Sequence, residues 1–196
     1  MKKRMVEIKR KTKESEISLL WNLDGKGNYK ISTGIPFFNH MLELFCKHGR
    51  FDMTLKAKGD LDVDDHHTVE DVGLCFGDAL RQALGNKEGI TRYGHAYVPM
   101  DETLAFCAVD LSGRPYFVYR VEKPSVKIKT FDTGLLEHFL EAFVSRGFFN
   151  LHLEIRYGKN PHHIFEGLFK AFARAMRVAV SADAGGGIPS TKGVLV

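Results

Sequence analysis

The chain repeats itself once, and this constrains its fold more than any other feature. His40-Met-Leu-Glu-Leu-Phe45, then Gly49 and Phe51-Asp-Met-Thr-Leu55, match His138-Phe-Leu-Glu-Ala-Phe143, Gly147 and Phe149-Asn-Leu-His-Leu153, every pair 98 positions apart. Further along, His66-His67-x-x-Glu70 matches His162-His163-x-x-Glu166 at an offset of 96, so the second copy is two residues shorter in the intervening loop. The sequence divides into a first repeat half (residues 1–95), a second (96–182) and a glycine-rich tail (183–196). With 196 residues, 44% of them hydrophobic, it can bury a core without a disulfide or metal scaffold.

Each half reads as two strands, a helix, a third strand and a second helix. In the first, short strands at Ile17 to Leu23 and Tyr29 to Ser32 flank the turn-rich Asp24-Gly-Lys-Gly27. Pro36 and Gly49 bracket a helix carrying His40. Phe51, Met53, Leu55 and Ala57 alternate with polar residues, the period of a half-buried strand. From about Asp65 to Leu84 an apolar stripe of Val69, Val72, Phe76, Leu80 and Leu84 marks a helix with Gly85 as its C-cap. The second half predicts strands near Leu104 to Val109 and Tyr116 to Val121, a helix at Thr133 to Arg146, a strand at Phe149 to Arg156 and a helix from Pro161. After it, Asp183-Ala-Gly-Gly-Gly-Ile-Pro189 is too glycine-rich for helix; it either delivers Ser190 to Lys192 to a specific place or frays.

Composition narrows the function. No apolar run approaches the roughly 18 to 20 residues that cross a bilayer, and MKKRMVEIKRK has no apolar stretch behind its charges, so a cytoplasmic protein is expected. Cys46, Cys75 and Cys107 are odd in number, far apart and set among apolar neighbours, the pattern of buried reduced thiols. The charge of +4 resides largely in the first thirteen residues and reads as a solvated segment; it gives no support to nucleic-acid binding but suits a small anionic substrate such as a phosphate ester.

The repeated histidines are the chemistry. A lone histidine on a helix is more often a core or surface residue than a ligand, but here six histidines and two glutamates recur: His40, His66, His67, Glu70, His138, His162, His163 and Glu166. Spacings of three and four along a helix bring His66, His67 and Glu70, and likewise His162, His163 and Glu166, toward one helix end. Adjacent helical histidines point roughly 100° apart, so one ion does not use both, which argues for two ions. Imidazole plus carboxylate without thiolate suits manganese, iron, cobalt, nickel or zinc, and the harder donors lean toward manganese. Asp62, Asp64, Asp65 and Asp71 flank the first cluster as helix N-terminal charges or acceptors for histidine N–H groups.

Gly34-Ile-Pro-Phe-Phe-Asn-His-Met-Leu42, Asp64-Asp-His-His-Thr-Val-Glu-Asp71, Pro161-His-His-Ile-Phe-Glu-Gly-Leu-Phe-Lys-Ala171 and Pro189-Ser-Thr-Lys-Gly193 resemble the imidazoleglycerol-phosphate dehydratase family of histidine biosynthesis, over essentially the whole chain. Asn39 stands where the family usually has aspartate, and Ser15 where threonine is usual. The resemblance implies a duplicated α/β (α+β) fold, each half a four-stranded sheet backed by two helices. It implies a lyase, specifically a hydro-lyase, that removes water from D-erythro-imidazole glycerol phosphate to give imidazole acetol phosphate, through a metal-bound imidazolate and a diazafulvene-like intermediate. It also implies two Mn2+ per subunit, other divalent metals being able to substitute, and a homo-oligomer of 24 subunits built from trimers through metal sites.

Carried over by resemblance, one ion takes His66, His138, His162 and Glu166, and the other His40, His67, Glu70 and His163. Glu14 is the acid or base, His48 a weaker partner, and His67 and Glu70 join the catalytic set. Substrate contacts fall to Glu14, His40, His48, His66, Glu70 and His162, and the phosphate goes to Arg92, Arg114, Lys170, Ser190, Thr191 and Lys192. Two other readings stay open from the residues alone. One is a two-metal hydrolase, indifferent to an imidazole in its substrate. The other is a metal-held scaffold without chemistry, against which the strand-like segments and the phosphate-type tail argue.

Overall fold

Alternation in the sequence becomes strands with one face buried and one wet. A computed structural model describes residues 4–122 and 126–195. Its first half runs β1 (Met5–Lys11), β2 (Ser15–Asn22), β3 (Tyr29–Ser32), α1 (Pro36–Gly49), β4 (Asp52–Gly59) and α2 (His66–Leu84). The second runs β5 (Tyr93–Met100), β6 (Thr103–Asp110), β7 (Tyr116–Arg120), a small β8–β9 hairpin (Lys127–Ile128 with Phe131–Asp132), α3 (Leu135–Gly147), β10 (Asn150–Tyr157) and α4 (Pro161–Val180). The two four-stranded sheets have the same order, β1-β2-β4-β3 and β5-β6-β10-β7. In each, the last-named pair is parallel because a helix crosses over between its strands, and the rest are antiparallel.

The expected duplicated architecture, two four-stranded sheets with four helices, is therefore present, with three additions to the strand reading: β1, β5 and the β8–β9 hairpin. The basic N-terminal segment is not merely solvated: from Met5 it pairs along β2. Tyr93–Met100, unassigned in the sequence, pairs along β6, so a boundary after residue 95 runs through β5. The helix ends are as expected at Pro36, at Gly85 (φ 55°) and at Pro161, where the Asn160 side chain caps α4 by accepting the His162 N–H at 2.9 Å.

Packing crosses the halves. Sheet one is covered by α2 and sheet two by α4, whereas α1 of the first half lies on α4 and α3 of the second lies on α2. Trp21 fills the centre, with its ring centroid 5.4 to 6.1 Å from those of Phe45, Phe51, Phe76 and Phe143, residues drawn from both halves. Cys46, Cys75 and Cys107 are buried and unbridged, as expected; burial pushes the Cys75 thiol up to about 12, so it stays protonated and inert. No helix among the described residues is long and apolar enough to cross a membrane.

Candidate metal centres and anion pocket

Because the helices cross, each candidate centre draws on both halves. His40 on α1 meets His162 and Glu166 on α4; among the described residues these three form the one group whose ligand atoms all lie within 4.8 Å of one another. Glu166 Oε1 lies 2.7 Å from His40 Nε2 and 3.0 Å from His162 Nε2, while Oε2 accepts from Lys170 Nζ at 2.6 Å. Burial resists ionisation of Glu166, but the hydrogen bonds from Lys170, His40 and His162 outweigh it and hold the carboxyl at about 2. An ionised carboxylate between two imidazoles, without thiolate, is a donor set that fits a divalent transition ion.

The second group forms where α2 meets α3. The His66 and His138 rings are 4.8 Å apart, and His66 Nε2 is 3.7 Å from Glu70. His67 turns its Nδ1 to Asp60, at 3.1 Å, and the hydrogen bond to that carboxylate raises its pKa. His163 does the same with Glu102 at 2.8 Å, again with a raised pKa, while the backbone N–H of Asn160 and His163 itself hold Glu102 well below the usual carboxylate range.

The four-ligand sets expected by resemblance are thus not gathered within one chain. His66 and His138 pair with each other, whereas His162 and Glu166 join His40. Each expected set takes members from both groups. The groups are also open: the His40 side chain is 39% exposed and Glu70 50%.

The phosphate candidates divide as well. Arg92, Arg114, Ser190, Thr191 and Lys192 line a cavity of about 680 Å³. The tail packs back onto the segment leading into β5: Gly89 donates to the Gly187 carbonyl at 2.7 Å and Arg92 Nη1 to that of Pro189 at 2.7 Å. Arg92 is itself fixed by Asp110 at 2.8 Å and lies over Tyr93. Lys170 is elsewhere, on Glu166. Arg92 N–H bonds to Ala179 O, thirteen positions beyond Glu166 on α4, so at 1.5 Å per residue this cavity is about 20 Å from the His40 group of the same chain.

Glu14, at the β1–β2 turn, is exposed, and its carboxylate makes no hydrogen bond among the described residues; its charge adds to the raised pKa of His67. His48 is half-buried, and burial, then Lys170 and Arg174, lower its pKa, which keeps its imidazole neutral at pH 7. Of the four flanking aspartates, Asp64 accepts the backbone N–H of His66 at 3.3 Å at the start of α2, and Asp71 is engaged by Ser15 and Arg10; the acceptor facing an imidazole is Asp60. Three contributors escaped the sequence reading: Asp60, Glu102 and Phe37, whose ring is 5.6 Å from both His162 and Phe131. The repeat held the signal for Glu102. Extended to the hairpin turns, it pairs Glu14 with Glu102 and Ser15 with Thr103, 88 positions apart.

These features define a class: a duplicated α/β protein that gathers imidazoles and carboxylates where helices of its two halves cross, and that carries a separate cavity lined by Arg92, Arg114 and Lys192. The sequence profile of imidazoleglycerol-phosphate dehydratase matches residues 33–176, and the chain belongs to that family. Relatives named imidazoleglycerol-phosphate dehydratase include one from Halalkalibacterium halodurans, 53% identical over 193 residues that cover 98% of this chain and all of its own. Another, from Symbiobacterium thermophilum, is 52% identical over 98% of this chain and 93% of its own. The crystal structure of the Staphylococcus aureus imidazoleglycerol-phosphate dehydratase superposes with a TM-score of 0.82 at 38% identity, covering 91% of this chain and 99% of that one. A Pyrococcus furiosus structure in complex with (S)-C348 gives 0.81 at 34%, covering 96% and 100%. The chain is accordingly a hydro-lyase of histidine biosynthesis, which supersedes the hydrolase and scaffold readings.

Proposed function

We propose that the chain removes water from D-erythro-imidazole glycerol phosphate to give imidazole acetol phosphate, using two divalent ions, with manganese the best match to the donors. The observation that carries this reading is the convergence of His40, His162 and Glu166 where α1 crosses α4, with its counterpart of His66 and His138 where α2 crosses α3. The carbon that loses its proton has no neighbouring carbonyl, so the substrate's own imidazole must take up the electrons. A divalent ion bound to the ring supplies Lewis acidity and favours the imidazolate form. The imidazolate expels the hydroxyl, which leaves as water on a proton relayed by His48, and a diazafulvene-like intermediate forms; Glu14 then takes the carbon-bound proton to give the enol, which becomes the ketone.

A homo-oligomer completes the site in this reading. The ligand groups are half-exposed, and the roughly 20 Å along α4 between the His40 group and the Arg92 cavity is longer than an imidazole and a phosphate joined by three carbons. Ligands from neighbouring subunits would bring His66 and His138 to His162 and Glu166, and His67 and Glu70 to His40 and His163, in a trimer-based particle of 24 subunits. A cytoplasmic location accords with this reading.

The test is a dehydration assay on metal-stripped protein with and without added manganese, reading the alkaline absorbance of the ketone. Manganese-dependent turnover is expected, and Glu14→Gln should lose at least about a hundredfold in kcat while binding manganese normally. Folded, manganese-loaded protein that leaves the substrate untouched would overturn the reading.

A further inference from the structure

An imidazole ligates through a bare nitrogen, so the partner of its other nitrogen decides which atom faces the ion. His163 Nδ1 lies 2.8 Å from Glu102 Oε2. The other oxygen, Oε1, accepts the backbone N–H groups of Lys159 and Asn160 at 3.2 and 2.8 Å and the Thr103 hydroxyl at 3.3 Å. Glu102 is thus fixed at both ends between the β5–β6 turn and the residues that open α4. A carboxylate held this way only accepts, so Nδ1 of His163 carries the hydrogen and Nε2 is bare; its nearest carboxylate, Asp101, stands 3.7 Å away, beyond hydrogen-bond range. In the first half Asp60 stands against His67 Nδ1 at 3.1 Å.

We propose that Glu102 is a positioning residue that fixes the tautomer and ring angle of His163 for a metal ion, and that Asp60 does so for His67, leaving Glu14, the counterpart of Glu102, free for the substrate. The assignment rests on the metal reading above. It explains an asymmetry of the duplication: equivalent hairpin turns each present a glutamate, yet Glu102 is tied by four donors and the Glu14 carboxylate, among the described residues, by none. The first half spares Glu14 because Asp60, at the end of β4, supplies the acceptor; the corresponding position after β10 is Gly158, which has no side chain to offer.

Glu102→Gln separates positioning from folding. Its amide oxygen still accepts the N–H groups of Lys159 and Asn160, but its NH2 faces Nδ1 as a donor and drives the imidazole hydrogen onto Nε2. The expected result, from manganese titration of metal-stripped protein followed by electron paramagnetic resonance, is affinity weakened by about 10- to 100-fold at one site, with an altered spectrum for that ion. At alkaline pH, where the His163 imidazole has lost its extra proton in either protein, the thermal midpoint of the metal-free protein should hardly move. Asp60→Asn should weaken binding in the same way through His67. Variants that bind two ions with wild-type affinity and spectrum overturn the positioning assignment alone. Wild-type protein that binds no manganese overturns it together with the metal reading beneath it.

Discussion

At the scale of single residues, the charges of the site oppose one another across pH. Glu166 is held at about 2 against an ordinary 4.5, so its share of stability is present above about 4.5 and lost as pH falls toward 2. His67 and His163 have pKa values raised above 6.5 by Asp60 and Glu102, so their share is present below 6.5 and lost as pH rises through the raised values. The metal-free protein should therefore be most stable between these limits. Manganese must displace the added protons, so its stabilising effect should grow as pH rises past 6.5. Thermal melts of stripped and loaded protein across this range check both; a manganese effect independent of pH would contradict the assigned partners. The unusual Asn39 falls into place at this scale as well. It does not bond to His40; its Oδ1 accepts the Thr33 N–H at 3.0 Å and hydroxyl at 2.7 Å, closing the approach to α1. Ser15 donates to Asp71 at 2.5 Å, a bond any hydroxyl there would make.

Among elements, the α2–α3 contact sets the spacing of His66 and His138, and it depends on glycine. A Cβ on Gly73 would come within 2.5 Å of the Phe139 carbonyl oxygen, and one on Gly77 within 2.7 Å of the Gly147 nitrogen, so the helices approach backbone to backbone. Gly77→Ala should cost about 1–3 kcal/mol in thermal or denaturant unfolding and should weaken manganese binding at the His66 group; unchanged stability would show that α3 can retreat. The elements legible in the sequence were those with an apolar face. The helices announced themselves through stripes such as Val69, Val72, Phe76 and Leu80, and β4 through Phe51, Met53 and Leu55 on alternate positions. β1 and β5 did not: charged residues fill four of the seven positions of β1, none of which is fully buried, and β5 contains Gly94 and Pro99. Their pairing is a backbone event. The candidate ligands stood out in the doubled His-His-x-x-Glu, but which of them meet was not legible, since it depends on which helices cross. Asp60 and Glu102 were not legible because each precedes the helix whose histidine it meets: Asp60 lies seven positions before His67, outside helical spacing, and Glu102 stands 61 positions before His163.

For the whole molecule, ligands divided between two crossings make the proposed site a joint product of neighbouring chains. His138→Ala removes a ligand from the α2–α3 group and His162→Ala one from the α1–α4 group. Each variant alone should be inactive. Unfolding and reassembling the two together should restore a fraction of wild-type turnover, because some contacts then join two intact groups; activity that stays absent in a properly sized mixed particle would place all the ligands of each ion in one chain.

The crossing of α1 onto α4 and α3 onto α2 carries a message about ancestry. An unfused half has one helix to lend and one to receive it, so it could have built these crossings only as a pair of identical copies, with every side chain present twice. Fusion ended that equality. Once the halves were encoded separately, one glutamate could be bound to a histidine while its twin stayed loose at the rim, and a ten-residue lengthening ahead of α3 could seat Phe131 against Phe37 and Phe38 with no counterpart on the other side. The gain from duplication lay less in having two of everything than in the freedom for the two to differ.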